Sequence, residues 1–284
     1  MKYMKIGFIG QGFVGKNIAD DYEKRGYEVV RYSLEEEYIK NKESIKDCDL
    51  TYIAVPTPTT PAGFDYSIVA DAINLVSEGS MVIIKSTLLP GTTQELQKQF
   101  PNILVMFSPE FLCEKTAAYD VANPILNIIG ITSADTDTQK KAENVMATFP
   151  ESEHSYVVNA NSAELFKYAH NLNGYFRVIL SNLLFEVGEK LSVDWAELKP
   201  MMDNDVMMSP YYNSPVHQGG RGAGGNCFVK DMAAFRHLYE NLVASDESGL
   251  SVLRSLEKKN LELLNSTGKS QDIVQGVYGK NLID

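Results

Sequence analysis

Cys227 stands directly behind a glycine pair, in Gly222-Ala223-Gly224-Gly225-Asn226-Cys227-Phe228-Val229-Lys230-Asp231, with a cation and then a carboxylate just downstream. Glycine carries no Cβ, so backbone there can approach a ligand closely. A thiol presented beside such a backbone, near Lys230 and Asp231, suits a nucleophile that attacks a bound carbonyl. The competing reading is a small apolar cysteine buried beside a turn. The other end of the chain decides between them.

Residues 5–9 read as a short buried strand, and Gly10-Gln11-Gly12-Phe13-Val14-Gly15 follows at once. A helix over 16–24 and a second strand over 26–32 complete the unit. A glycine triplet between a strand and a helix is the dinucleotide fingerprint: Gly10 for the tight turn, Gly12 to admit the pyrophosphate, Gly15 for close helix packing. The phosphates would sit on the helix N-terminus, where free N–H groups and the dipole favour anions. The acidic residue expected at the end of the second strand is absent, and Ser33 occupies its place behind Arg31 and Tyr32. Ser33 can bond a ribose hydroxyl or a 2′-phosphate, and Arg31 could balance the latter. The run Glu35-Glu36-Glu37 is a poor neighbourhood for an extra phosphate, so the expected cofactor is NAD.

The elements that must position these groups follow from the rest of the chain. Its 284 residues suffice for two cores, and a net charge of −11 argues against nucleic acid and anionic membrane as partners. No apolar run approaches membrane-spanning length, and the first residues read as a strand rather than a signal sequence. Cys48, Cys113 and Cys227 are isolated, which fits a reducing, cytoplasmic setting rather than a disulfide framework. His154, His170, His217 and His237 form no ligand cluster, so no metal is expected.

The fold class is α/β: a Rossmann-like parallel-sheet domain over residues 1–158, then an all-helical domain over 159–265 with one long central helix. Residues 49–55, 81–86, 103–107 and 125–131 are short apolar strands, alternating with amphipathic helices over 66–77, 92–100 and 135–148. Polar loops stand at the strand ends, where such sheets bind ligands: Val55 to Thr59, Lys85-Ser86-Thr87 and Ser108 to Glu114. In the helical part, Leu165, Leu172, Phe176, Ile179, Leu183, Val187 and Leu191 form an apolar stripe. Part of that stripe is expected to be covered by a second subunit, making a homodimer. Further helices are expected over 194–207, 230–242 and 250–264, with residues 266–284 as a loose end.

Together these segments resemble the nucleotide-sugar dehydrogenases, the UDP-glucose and GDP-mannose 6-dehydrogenases. GFIGQGFVG, VPTPT and KSTLLPGT resemble the family's three cofactor loops, and SPEFLCEKTA its substrate loop. AELFKYAHN matches its A-E-x-x-K-x-x-x-N helix, and GAGGNCFVKD its nucleophile segment. The resemblance implies NAD-dependent oxidation of a sugar primary alcohol to a carboxylate. In it, Cys227 carries a thiohemiacetal and then a thioester, Glu110 helps water to hydrolyse that thioester, Lys167 and Asn171 stabilise the oxyanion, and Asp231 and Thr87 position water. It also implies cofactor contacts from Gly10, Gly12, Phe13, Val14, Gly15, Ser33, Val55, Pro56, Thr57, Ser86, Thr87, Glu114 and Lys230. Substrate contacts would come from Glu110, Phe111, Leu112, Glu114, Lys167, Asn171 and Gly224. The spacing of Lys167 and Asn171 independently puts them on one helix face.

The departures concern the nucleotide end of the substrate. The family's third, nucleotide-gripping domain lies beyond this sequence. The arginine it places well before the nucleophile has no counterpart, and Tyr211 stands at that spacing. Ala223 replaces an aromatic residue, and Cys113 an arginine or small residue. The stretch between the second and third strands is too short for the family's extra helix and strand. Two other readings stay open: a two-electron 3-hydroxyacid dehydrogenase, which has no use for Cys227, and a non-catalytic NAD-binding subunit. The three differ in NADH yield per substrate: two, one or none.

Overall fold

A computed structural model describes residues 4–279. The chain divides into two compact units, one comprising residues up to Thr57 with Asp65–Lys167, the other Pro58–Phe64 with the residues from Tyr168 on.

The inner strands of the first unit have almost no polar face. β1 (Lys5–Ile9), β2 (Glu28–Tyr32), β3 (Leu50–Ile53), β6 (Met81–Ile84) and β7 (Leu104–Phe107) pair in parallel, in the order β2-β1-β3-β6-β7. Every residue of β3 is buried, as expected of a strand covered on both faces. The register sets Ile9 beside Tyr32 and Ile53, Ile53 beside Ile84, and Ile84 beside Phe107. The strand ends therefore stop level with one another, and their following loops share one edge of the sheet. The helices α1 (Phe13–Lys24), α2 (Ser67–Ile73), α3 (Thr92–Gln99), α4 (Ala117–Ala122) and α5 (Thr136–Met146) connect the strands. Phe8 stacks on Tyr52 at 4.9 Å, and the Tyr22 hydroxyl lies 2.6 Å from that of Tyr52 and 2.8 Å from that of Thr148. Buried hydroxyls here satisfy one another, so the aromatic core carries no orphaned phenol.

Three features differ from the sequence expectation. The sheet is mixed: β8 (Leu126–Ile131) runs antiparallel to β7, touching it at the Phe107–Gly130 pair, and β9 (His154–Asn159) extends it in parallel with β8. A 3-10 helix at Ile39–Asp47 fills the short stretch between β2 and β3. Residues 59–64 form a small hairpin of β4 (Thr59–Thr60) and β5 (Gly63–Phe64).

The long helix α6 (Ala160–Leu191) begins in the first unit. It starts against β8, where a Cβ on Gly130 would lie 2.8 Å from Ala163 Cβ and 2.9 Å from Ala160 Cα. In the second unit its buried face is Tyr168, Leu172, Tyr175, Ile179 and Asn182. That face takes in only part of the apolar stripe. Leu172 and Ile179 are buried, but Phe176, Leu183, Val187 and Leu191 are exposed, and Leu180 and Leu184 join them.

The second unit continues with α7 (Trp195–Asn204), the hairpin β10 (Val216–His217) with β11 (Gly220–Arg221), and helices α8 (Gly225–Leu242), α9 (Glu247–Thr267) and α10 (Gln271–Tyr278). The expected loose end is corrected over its described part. Val274 and Val277 of α10 are buried in a core with Val229, Ala233, Leu261 and Leu264. Tyr278 donates to the buried Glu257 at 2.8 Å, and Arg236 ion-pairs with the same carboxylate. Burial pushes the Glu257 carboxyl above its usual range, so its charge depends on these partners. Tyr278→Phe should lower the unfolding free energy by about 1 kcal/mol, and Val274→Asp by about 4 kcal/mol or more. Urea unfolding measures both, and an unchanged midpoint for each would mean that α10 holds nothing.

Candidate active site

The glycine loop fits a dinucleotide by shape. Gly10 has φ +93°, and a Cβ there would lie 2.2 Å from the Ala54 carbonyl oxygen. A Cβ on Gly15 would lie 2.0 Å from the Gly10 carbonyl oxygen, so strand end and helix approach as only glycine allows. Gly12 faces open space and begins α1 with no side-chain cap, leaving the first amides of the helix to an anion. Phe13 is exposed beside it and Val14 half-buried.

The neighbouring loops are laced together. Ser86 Oγ donates to the Val55 carbonyl at 2.7 Å and accepts from Val55 N at 2.9 Å; Thr57 Oγ1 donates to the Thr87 carbonyl at 2.8 Å. Val55, Pro56, Thr57, Ser86 and Thr87 thus form one ledge at the ends of β3 and β6. Ser33 Oγ accepts from Glu35 N at 3.2 Å. Arg31 is committed to α1, 2.7 Å from Asp20 and 2.8 Å from Glu23. A guanidinium already held by two carboxylates is a poor partner for a 2′-phosphate, which agrees with NAD.

At the end of β7 the substrate loop begins. Glu110 is held at both carboxylate oxygens: Oε1 accepts from Phe111 N at 2.8 Å, and Oε2 lies 3.2 Å from Lys85 Nζ. Lys167 Nζ donates to the Glu110 carbonyl oxygen at 2.5 Å and lies 5.1 Å from the centre of the Phe111 ring. Glu110, Phe111 and Lys167 are therefore one cluster, with Leu112 half-buried beside it. Glu114 and Cys113 are exposed, in a turn held by Asp120, which accepts from Cys113 N and Thr116 Oγ1.

The second unit holds the other group. Cys227 is an exposed thiol in the first turn of α8. Asp231, one turn on, is 1% exposed; it accepts from Asn171 Nδ2 at 2.5 Å and from Lys230 Nζ at 2.5 Å. Lys230, expected at the cofactor, is thus the counter-ion of Asp231. The glycine stretch before Cys227 is gripped from behind: Asn260 accepts from Ala223 N and donates to the Ala223 carbonyl, Lys269 donates to the Gly222 carbonyl, and Gly225 N donates to Ser270 Oγ. A Cβ on Gly224 would lie 2.5 Å from Ser270 Oγ, which makes that glycine a packing requirement as well as an expected substrate contact.

Four residues escaped the sequence reading. Lys85 enters the sequence reading only as the first residue of a polar strand-end loop, and Glu164 only as a position of the α6 motif, neither with a role of its own. Asn260 and Ser270 lie far from Cys227 in sequence, and no local pattern announces a grip on a distant loop. Among the described residues no group of metal-ligating side chains gathers, and no helix is long and apolar enough to cross a membrane.

Comparison with known proteins gives the family. Residues 37–150 match the NAD binding domain of the UDP-glucose/GDP-mannose dehydrogenase family, and residues 161–261 match its central domain. The chain is 27% identical over 318 residues to the UDP-glucose 6-dehydrogenase of Streptococcus pneumoniae, spanning 97% of this chain and 78% of that one. It is 25% identical over 323 residues to the UDP-glucose 6-dehydrogenase of Rickettsia prowazekii, spanning 98% and 72%. In fold it resembles a UDP-glucose dehydrogenase from Pyrobaculum islandicum, with TM-score 0.76 at 23% identity over 91% of this chain and 68% of that one. It also resembles the 3-hydroxyisobutyrate dehydrogenase of Mycobacterium tuberculosis, with TM-score 0.69 at 14% identity over 98% and 99%. The chain belongs to the UDP-glucose/GDP-mannose dehydrogenase family and is an NAD-dependent dehydrogenase.

The glycines separate fold from binding. Gly15→Ala should destabilise the protein by about 2 kcal/mol through overpacking. Gly12→Ala should leave the unfolding free energy within about 1 kcal/mol of wild type yet weaken NAD binding about tenfold or more, because its methyl enters the pyrophosphate space. Calorimetric titration reads the second effect, and unchanged NAD affinity in Gly12→Ala would move the cofactor off this loop.

Proposed function

We propose that the enzyme oxidises the primary alcohol of a nucleotide-linked sugar to a carboxylate in two oxidations, with Cys227 holding the substrate through the second. The observation that carries this reading is the exposed Cys227 thiol at the start of α8, one turn ahead of a buried Asp231 held by Asn171 and Lys230. A two-electron alcohol dehydrogenase needs no such thiol. Bound NAD, cradled by Gly10, Gly12, Gly15 and the Val55–Thr57 and Ser86–Thr87 ledge, supplies the hydride acceptor.

The chain's own groups do the rest. Lys167 and Asn171 lie one turn apart on α6 and polarise the reacting oxygen, first as alkoxide and then as thiohemiacetal oxyanion. The Cys227 S–H bond breaks and its proton goes to the medium, and the sulfur forms a C–S bond to the aldehyde carbon while the carbonyl π pair moves onto that oxygen. After the second oxidation the same carbon is a thioester. Glu110 takes a proton from water as its oxygen bonds to the thioester carbon; the C–S bond then breaks and the electron pair returns to Cys227. Thr87 and Asp231 position water around this step, and Phe111, Leu112, Glu114 and Gly224 contribute to the sugar site. The named relatives act on UDP-glucose, which makes a UDP-sugar the first substrate to try. The setting is cytoplasmic, consistent with free thiols at Cys48, Cys113 and Cys227.

A homodimer is part of the same proposal. Leu180, Leu183, Leu184, Val187 and Leu191 are exposed along α6, an apolar face suited to a second copy. Light scattering at micromolar concentration should give about twice the chain mass, and Leu184→Glu should halve it; a monomeric wild type contradicts this part.

The chemistry has a sharper test. Cys227→Ser should bind NAD normally and stall near the aldehyde, because a serine hydroxyl is a weaker nucleophile and its ester a poorer acyl carrier. Lys167→Ala should slow oxidation by about 10²–10³. Glu110→Gln should still oxidise and accumulate an acyl adduct on Cys227, seen as added intact-protein mass. Full activity in Cys227→Ser would instead favour the two-electron hydroxyacid reading.

A further inference from the structure

Lys85 is the least expected cation of the first unit. It follows β6 directly, its side chain is only 10% exposed, and its Nζ contacts three groups: Ser108 Oγ at 3.0 Å, Glu110 Oε2 at 3.2 Å and the Phe149 ring at 5.5 Å. Lysine is rarely buried unless paired. Here the pairing does more than neutralise a charge. Phe111 N holds one oxygen of Glu110 and Lys85 holds the other, so both carboxylate oxygens are engaged. Glu110 lines a cavity together with Lys85, Ser108, Phe111 and Asn127.

We propose that Lys85 is a positioning residue for the hydrolytic step alone. This rests on the proposed role of Glu110 as the base. In that step a water O–H bond breaks, its proton goes to Glu110, its oxygen bonds to the thioester carbon, and the C–S bond gives its electron pair to Cys227. The proton then leaves Glu110 for the medium. Proton abstraction requires the carboxylate within hydrogen-bond reach and correctly aimed, and a displacement of about 1 Å costs about 10²-fold in rate. Lys85 supplies the aim, through Ser108 and Glu110 together. Its side chain contacts neither the glycine loop nor Lys167 among the observed contacts, so its direct hold is on the Glu110 carboxylate and not on the groups assigned to the oxidations.

The test uses the full chain with UDP-glucose, and separately GDP-mannose, as probes. Lys85→Met should retain wild-type NAD affinity and the rapid formation of two NADH per subunit. Its steady-state rate should fall about tenfold to a hundredfold, with the acyl adduct on Cys227 visible by intact mass. Lys85→Arg should recover most of that rate, and Ser108→Ala should show a weaker version of the same defect, which keeps the proposal testable if Lys85→Met fails to fold. Equal slowing of NADH formation and of acid release in Lys85→Met, or a full steady-state rate in both Lys85→Met and Ser108→Ala, overturns the positioning role. Absence of the acyl adduct in Glu110→Gln, or no NADH from either probe with wild type, overturns the underlying reading instead, and the proposal with it.

Discussion

The carboxylate of Glu164 is fully buried and accepts three hydrogen bonds, from Gly91 N at 2.7 Å, Thr93 N at 2.8 Å and Thr93 Oγ1 at 2.6 Å. A buried anion is costly unless so satisfied, and burial does push this carboxyl above its usual range. Its partners are the first amides of α3, whose own N-cap, Gly91, sits at φ +102° and offers no side chain. The start of α6 therefore caps α3 from outside. Two things are fixed at once: the loop running from Ser86 to α3, which carries the cofactor ledge, and the azimuth of α6, on which Lys167 follows one turn later. The close approach of Ala160 and Ala163 to Gly130 fixes the same helix from the sheet side. With both contacts, Lys167 reaches the Glu110 carbonyl without freedom to wander.

The same logic recurs in each unit. Groups assigned to chemistry are held by partners that are themselves buried or paired: Glu110 between Lys85 and a backbone amide, Asp231 between Lys230 and Asn171. Cys227 is different, since its thiol is exposed while the backbone before it is clamped by Asn260, Lys269 and Ser270. On the proposed reading this division is functional. The base and the water-positioning carboxylate need fixed aim, whereas the nucleophile must form and break a bond to a moving substrate carbon.

What could be read from sequence was whatever short-range geometry dictates. The strand–glycine–helix unit at residues 5–24 was legible because turn, close packing and anion site each demand glycine at one spacing. The strand-end loops at Val55, Lys85 and Ser108 were legible because buried parallel strands are continuous apolar runs. Long-range choices were not. Reversal of β8 and β9 is a pairing decision that no run of residues records. On α6 the apolar stripe and the face buried within the single subunit differ: Leu165, Phe176, Leu183 and Val187 are exposed there, while the buried face includes Tyr168, Tyr175 and Asn182, whose polar groups blur its period. The helix at Gln271–Tyr278 looked loose because its value depends on a distant Glu257. Lys85 and Glu164 were passed over for the same reason: a buried charge is recognisable only once its partner is in place.

On the proposed function, one thiol carries one substrate through two successive oxidations. The most direct measurement is the number of NADH molecules formed per molecule of limiting substrate run to completion, with the carboxylate product quantified in parallel. Two NADH should form for each carboxylate, with no accumulated aldehyde. One NADH per substrate, with an aldehyde or ketone as the final product, would contradict it.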